Sequence, residues 1–156
     1  MSPEAHESTS ARPILALDVD GVISLFGFEG PLDRVPGRFC LIDGIAHCIA
    51  HGVGERLRRL GEHYELIWAT GWEDRANDHL PQLLGLPGPL PTLRFDGRAR
   101  FGTAHWKLEA LAEYSKKRPL AWIDDSLDES CYEWAAAREA PTLLVPTESD
   151  VGLTSE

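Results

Sequence analysis

PILALDVDGV, residues 13–22, decides how the rest of the chain is read. Its first seven residues, PILALDV (13–19), form an apolar run of strand length that stops short of Gly21. That is the pattern of a strand buried on both faces. Two carboxylates, Asp18 and Asp20, stand at its carboxyl end. In an open α/β sheet, ligands bind at that end, near the point where the strand order reverses.

Working outward, the stretch from Ser24 to Asp43 is rich in Gly, Pro and aromatic residues and has no helical period. It is expected to be a loop or a short hairpin, a flap over 24–43. Asp43 or Gly44 is then expected to open a helix. Ile45, Ile49, Val53, Leu57 and Leu60 recur there at three- and four-residue spacing. Arg56, Arg58 and Arg59 suit its carboxyl end, and Gly61 can terminate it. ELIWAT (65–70) is a second buried strand, and Glu73 to Leu84 a helix that ends at Gly85 and the run LPGPLP. PTLRF (91–95) is a short third strand, followed by a helix from His105 to Lys117. PLAWID (119–124) is the fourth strand, Leu127 to Arg138 a helix, and PTLLVP (141–146) the fifth strand. Strands that alternate with helices imply one α/β domain over 13–147, with a parallel sheet and right-handed crossovers. Residues 1–12 read as a flexible leader and 148–156 as a loose tail. No internal repeat is visible.

Composition narrows the function. A chain of 156 residues with 43 % apolar content suits one domain with its own core. A formal net charge of −10 argues against sequence-blind binding to nucleic acid, which needs Lys and Arg to replace counterions, and against an anionic membrane partner. It leaves room for a small phosphorylated substrate, because a bound cation can invert the local charge. Cys40, Cys48 and Cys131 are odd in number and lack CxxC spacing, so a disulfide framework is not expected and reduced, cytoplasmic thiols are. The opening MSPEAHESTSARP has no apolar h-region, and no apolar run is long enough to span a membrane.

The other strand ends supply further chemistry. Thr70 and Gly71 follow the second strand, Lys107 lies on the helix before the fourth, and Asp124, Asp125 and Ser126 follow the fourth. Four carboxylates, a hydroxyl and an ammonium would meet at one edge. Asp124 and Asp125, side by side, would repel each other without a cation. Their adjacency therefore points to metal more than to packing.

LALDVDGV (15–22), IWATG (67–71), Lys107 within HWKLEAL and AWIDDS (121–126) resemble, in order, the four motifs of the haloacid dehalogenase (HAD) superfamily. The resemblance covers about residues 13–146. It implies a Rossmann-like fold with a five-stranded parallel sheet in order 3-2-1-4-5 and helices on both faces. It also implies a Mg²⁺-dependent phosphohydrolase. Asp18 would be the nucleophile, forming an aspartyl-phosphate. Asp20 would protonate the leaving oxygen and later take a proton from water. Asp18, the backbone carbonyl of Asp20 and Asp125 would hold the metal, and Asp124 would orient that shell or bind through water. Thr70 and the backbone amides from Gly71 on would donate to phosphoryl oxygens, and Lys107 would neutralise Asp18 and the incoming phosphate. The superfamily's dehalogenases lack an acid at the position of Asp20, and its transport ATPases carry Thr there. Asp20 thus points to phosphatase or phosphomutase chemistry. The short segments between motifs leave no room for a large cap domain. Family members of this kind act on large substrates or are covered by a neighbouring subunit, so a homo-oligomer is an open possibility.

Around this set, several residues carry two readings. In TGWEDRAN (70–77), Trp72 is placed to stack on a base or ring and Arg75 to reach a second phosphate. The competing reading packs Trp72 under the flap and pairs Arg75 with Asp74 or Glu73. Thr70 can cap the following helix as well as bind phosphate. His105 and Trp106 flank Lys107, Trp106 more as a packing residue than a substrate contact. Phe26, Phe28 and Phe39 either grip a leaving group or pack the flap on itself. Two further functions stay in view. One is a nucleotide or nucleic-acid end-processing phosphatase, with RFDGRARF (94–101) and KKR (116–118) as its basic support. The other is a binding module that kept the fold without catalysis.

Overall fold

The computed structural model describes residues 12–28, 35–95 and 103–154. Strand β1 (Ile14–Leu17) lies between β5 (Glu65–Trp68) and β6 (Leu120–Asp124), and β7 (Thr142–Pro146) pairs with the far side of β6. All four strands of this sheet run parallel. Leu15 sits opposite Leu66 on one side and Ala121 on the other. A second, three-stranded antiparallel sheet follows β1 in the chain, with β4 (Ile45–Ala50) between β2 (Ser24–Leu25) and β3 (Gly37–Ile42).

Strand periodicity sorts the core into two layers. Leu15, Leu17 and Val19 face a cluster with Val53 and Leu57 of α1 (Val53–Leu60) and Leu80 and Leu84 of α2 (Ala76–Leu84). Ile14 and Ala16 face the other, with Leu111 of α3 (Leu108–Ser115) and Cys131 of α4 (Glu129–Ala137). The helices therefore cover both faces of the parallel sheet. Asp128 caps α4 by accepting the Cys131 N–H through its side chain. No helix among the described residues is long and apolar enough to cross a membrane.

Three expectations need correction. The helix read from Asp43 onward begins only at Val53, because Ile45–Ala50 is strand β4. Asp43 and Gly44 both have positive φ, 51° and 77°. They form the tight turn that an Asp-Gly pair favours between antiparallel strands. Ile45 and Ile49 are four residues apart, a spacing that satisfies a strand's period of two as well as a helix's turn. The flap thus extends past residue 43 to Ala50. The part of it at 29–34 lies outside the described residues, as do residues 96–101 of the basic stretch and residues 1–11 of the leader.

The expected third strand, PTLRF, is reduced to one bridge between Thr92 and Trp68. Its ladder starts, with Trp68 N–H donating to Pro91 O and Leu93 N–H to Trp68 O. It stops because the chain turns at Thr70: the Thr70 carbonyl accepts Glu73 N–H, and Phe95 N–H goes to the Glu73 carboxylate instead. The Asn77 side chain holds this segment in place, bonding Trp68 Nε1, the Leu90 backbone and Thr92 Oγ1.

The segment read as a loose tail is docked as far as Leu153. Leu153 is buried in the first core cluster, and its N–H donates to Val22 O. Phe26 N–H donates to Ser149 O.

Candidate active site

The site grows from the junction of β1 and β6. Asp18 N–H donates to Ile123 O, which continues the ladder one residue past β1 and sets Asp18 beside Asp124. The chain then leaves the sheet in a tight loop. Gly21 adopts φ +82°, and its N–H donates to Ser24 O. A Cβ at Gly21 would lie 2.0 Å from Asp125 Oδ2, so the absent side chain is what lets Asp125 approach.

Asp18 and Asp124 are both buried, and so is Lys107 between them. Lys107 Nζ is 2.6 Å from Asp124 Oδ2 and 3.3 Å from Asp18 Oδ1. The 3₁₀ turn Ala104–Lys107 delivers this ammonium, tied by Ala104 N–H to Ser126 O in the loop after β6. The Trp106 ring covers it, with Nζ 5.2 Å from the ring centroid, and itself packs edge-on against Phe95. Val19 N–H donates to Asp18 Oδ1 at 2.8 Å. Ser126 N–H donates to Asp124 Oδ1, so both oxygens of Asp124 are engaged. Asp125 accepts the Ser126 hydroxyl on Oδ1 and the Ser149 hydroxyl on Oδ2.

Burial pushes the Asp18 carboxyl up to about 7; Lys107 opposes that rise, and Asp124 adds to it. Burial also works against the Lys107 charge, yet the carboxylates of Asp18 and Asp124 together hold it above the ordinary lysine value.

One ligand oxygen from each of Asp18, Asp124 and Asp125 lies within 4.8 Å of the others. Three carboxylates against one ammonium leave two negative charges when all are ionised. A divalent cation would balance them. The donors are all hard oxygens, which suits magnesium or calcium rather than a soft metal.

Above these groups opens a cleft of about 200 Å³, lined in part by Asp18, Asp20, Thr70, Gly71, Lys107 and Asp124. Buried Thr70 accepts the Trp72 N–H on Oγ1, which leaves its hydroxyl proton to donate into the cleft. The capping and binding readings of Thr70 are thus compatible. Asp20 is exposed at the mouth, and its Oδ2 accepts the Trp72 indole N–H at 2.9 Å. Trp72 also meets His47 of β4 edge-on at 5.0 Å. It is therefore engaged with the hairpin and with Asp20, and it does not line the cleft. Arg75 is exposed and is not a lining residue either, and Asp74 pairs with Arg94 at 2.7 Å. His105 is bonded to Ser130 and does not line the cleft.

Ser126, named at the end of the fourth strand, lines the cleft, but two features escaped the sequence: Thr103 also lines the cleft, and Ser149 braces Asp125. Small hydroxyl residues in loops carry no periodic signal; only the chain's path joins them to the site. Comparison with models of known protein families yields no match, and comparison with curated proteins yields none.

Proposed function

We propose that this protein is a magnesium-dependent phosphomonoester hydrolase of the haloacid dehalogenase type, working through an aspartyl-phosphate on Asp18. The observation that carries this reading is the convergence of Asp18, Asp124 and Asp125 within 4.8 Å, with Lys107 bridging two of them at the carboxyl edge of a parallel sheet. A solvated cluster of loop acids would not bury two of its carboxylates around a buried lysine.

In this reading a substrate phosphoryl group enters the cleft and meets the Thr70 hydroxyl and the Lys107 ammonium. The cleft is smaller than the roughly 300–1,000 Å³ of sites that enclose a whole ligand, so the leaving group stays at the rim. A divalent cation, held by Asp18, Asp125 and the Asp20 carbonyl with Asp124 orienting that shell, supplies compensation for phosphoryl charge when bound. The Asp18 carboxylate attacks phosphorus. The bond from phosphorus to the leaving oxygen breaks, and that oxygen takes the Asp20 proton. Water then attacks the same phosphorus and gives a proton to Asp20. The bond from phosphorus to Asp18 breaks, releasing inorganic phosphate and restoring the carboxylate. Lys107 compensates the charge of Asp18 and the phosphate throughout.

The test is hydrolysis of an aryl phosphate. Magnesium should support phosphate release, a chelator should abolish it, and added magnesium should restore it. Asp18→Asn should remove turnover. Full activity in chelator would sink the metal assignment, and wild-type turnover in Asp18→Asn would sink the covalent mechanism.

A further inference from the structure

Asp20 is exposed at the mouth of the cleft, yet one of its oxygens is held. The donor is the indole N–H of Trp72, 52 residues away, at 2.9 Å. Trp72 is itself fixed from three sides. Its backbone N–H donates to Thr70 Oγ1, its ring packs against the first core cluster, and its edge meets His47 at 5.0 Å and 62°. His47 is bonded in turn through Nδ1 to the hydroxyl of buried Ser24. Ser24 lies four residues beyond Asp20 and pairs with it across a β-bridge. The loop after β1, the hairpin and the turn after β5 thus close into a ring, and Trp72 joins all three.

We infer that Trp72 is a positioning residue: its indole N–H holds Asp20 Oδ2 and thereby assigns proton transfer to Oδ1. The inference rests on the phosphohydrolase reading. An indole nitrogen donates one hydrogen bond and accepts none. The oxygen it holds must act as acceptor whether Asp20 is protonated or not, and the hydroxyl oxygen of a carboxylic acid is the poorer acceptor. The transferable proton therefore sits on Oδ1, turned away from Trp72. Rotation of the side chain, which would misdirect that proton, costs the hydrogen bond. The arrangement couples the hairpin to the acid, since His47 buttresses the ring that holds Asp20.

Trp72→Phe tests this, because it keeps an aromatic ring against His47 and removes the donor. Single-turnover release of the leaving group should be compared for an alkyl and an aryl phosphate. General acid catalysis contributes about 10²–10⁴-fold where the leaving group is poor. Losing its alignment should cost about tenfold on the alkyl phosphate, less than about twofold on the aryl phosphate, and leave KM unchanged for both. A merely structural role would lower both rates alike, and that result, or no loss on either, overturns the inference. If wild-type protein releases neither leaving group in magnesium, the phosphohydrolase reading itself fails. A second measurement stands apart from activity. Asp20→Ala should move the Trp72 indole proton resonance, identified by its loss in Trp72→Phe, while the other four of the five tryptophans stay put. An unmoved Trp72 resonance overturns the hydrogen bond on which the inference rests.

Discussion

At the scale of single residues, the cost of the site is concentrated in Asp18. Its carboxyl is pushed up from 3.8 to about 7, chiefly by burial. The folded protein therefore keeps a proton that the unfolded chain releases, so stability falls as pH climbs from about 4 to about 7 and stays lower above that. Asp18→Asn removes this burden. In chelator at about pH 8 it should raise stability by on the order of 1–3 kcal/mol, and the gain should fade toward about pH 4. Thermal unfolding across that range checks it; a destabilised variant at about pH 8 would show that Asp18 is not the strained group. Lys107 carries the opposite sign. Its raised value means that its contribution is fully present below the ordinary lysine pKa and is lost only as pH rises past it. Lys107→Met leaves Asp18 and Asp124 buried without their cation, which should cost about 3 kcal/mol near neutral pH. The deficit should shrink in acid, where the carboxylates take protons, and denaturant titrations at two pH values measure it.

At the scale of elements, what could be read from the chain depended on whether a pattern belongs to one period only. Strands β1 and β6 are short runs buried throughout, and their ends announce the site through Asp18 and Asp124. The stretch from Ile45 to Leu60 misleads because its apolar spacing fits two periods, and only the Asp-Gly turn at 43–44 separates them. PTLRF supplies strand-like burial at Leu93 and Phe95, but its ladder is ended by a side chain, Glu73, that no strand pattern includes. The Trp72 contact with Asp20 was out of reach for the same reason: it depends on where the turn after β5 points, not on composition. Glycines show how local context decides function. Gly21 and Gly44 both have positive φ, 82° and 77°, and a Cβ costs about 1–2 kcal/mol in that region at either position. At Gly44 the added carbon meets nothing within 4 Å; at Gly21 it meets Asp125. Gly21→Ala carries the clash with Asp125 in addition and should lose more stability than Gly44→Ala, and only Gly21→Ala should lose the rise in melting temperature expected on adding magnesium. Equal magnesium responses would remove Asp125 from the metal site.

At the scale of the whole molecule, the last segment of the described chain braces the loop after β1 and Asp125. Thr147 Oγ1 donates to Gly21 O, Ser149 to Asp125, and Leu153 seals the first core cluster beneath the same loop. Gly152 makes this possible: at φ +72°, it packs where a Cβ would lie 2.5 Å from Val22 O. The segment therefore does two separable jobs, one polar and one apolar. Deleting residues 148–156 removes both, but the jobs separate by substitution. Leu153→Ala takes away buried apolar surface and should cost about 2–3 kcal/mol of stability, while Asp125 keeps its hydroxyl partner. Ser149→Ala removes only the hydroxyl. Stability should change by less than about 1 kcal/mol, but magnesium should bind about tenfold more weakly, since groups that orient a metal's ligands typically contribute that much or more. Calorimetric titration with magnesium, beside thermal unfolding in chelator, reads the two effects independently. If Ser149→Ala binds magnesium as wild type does, Asp125 needs no brace from this segment and the segment's role is packing alone. If Leu153→Ala weakens magnesium binding as much as Ser149→Ala does, the two jobs are one, and the loop after β1 moves as a unit with the segment that braces it.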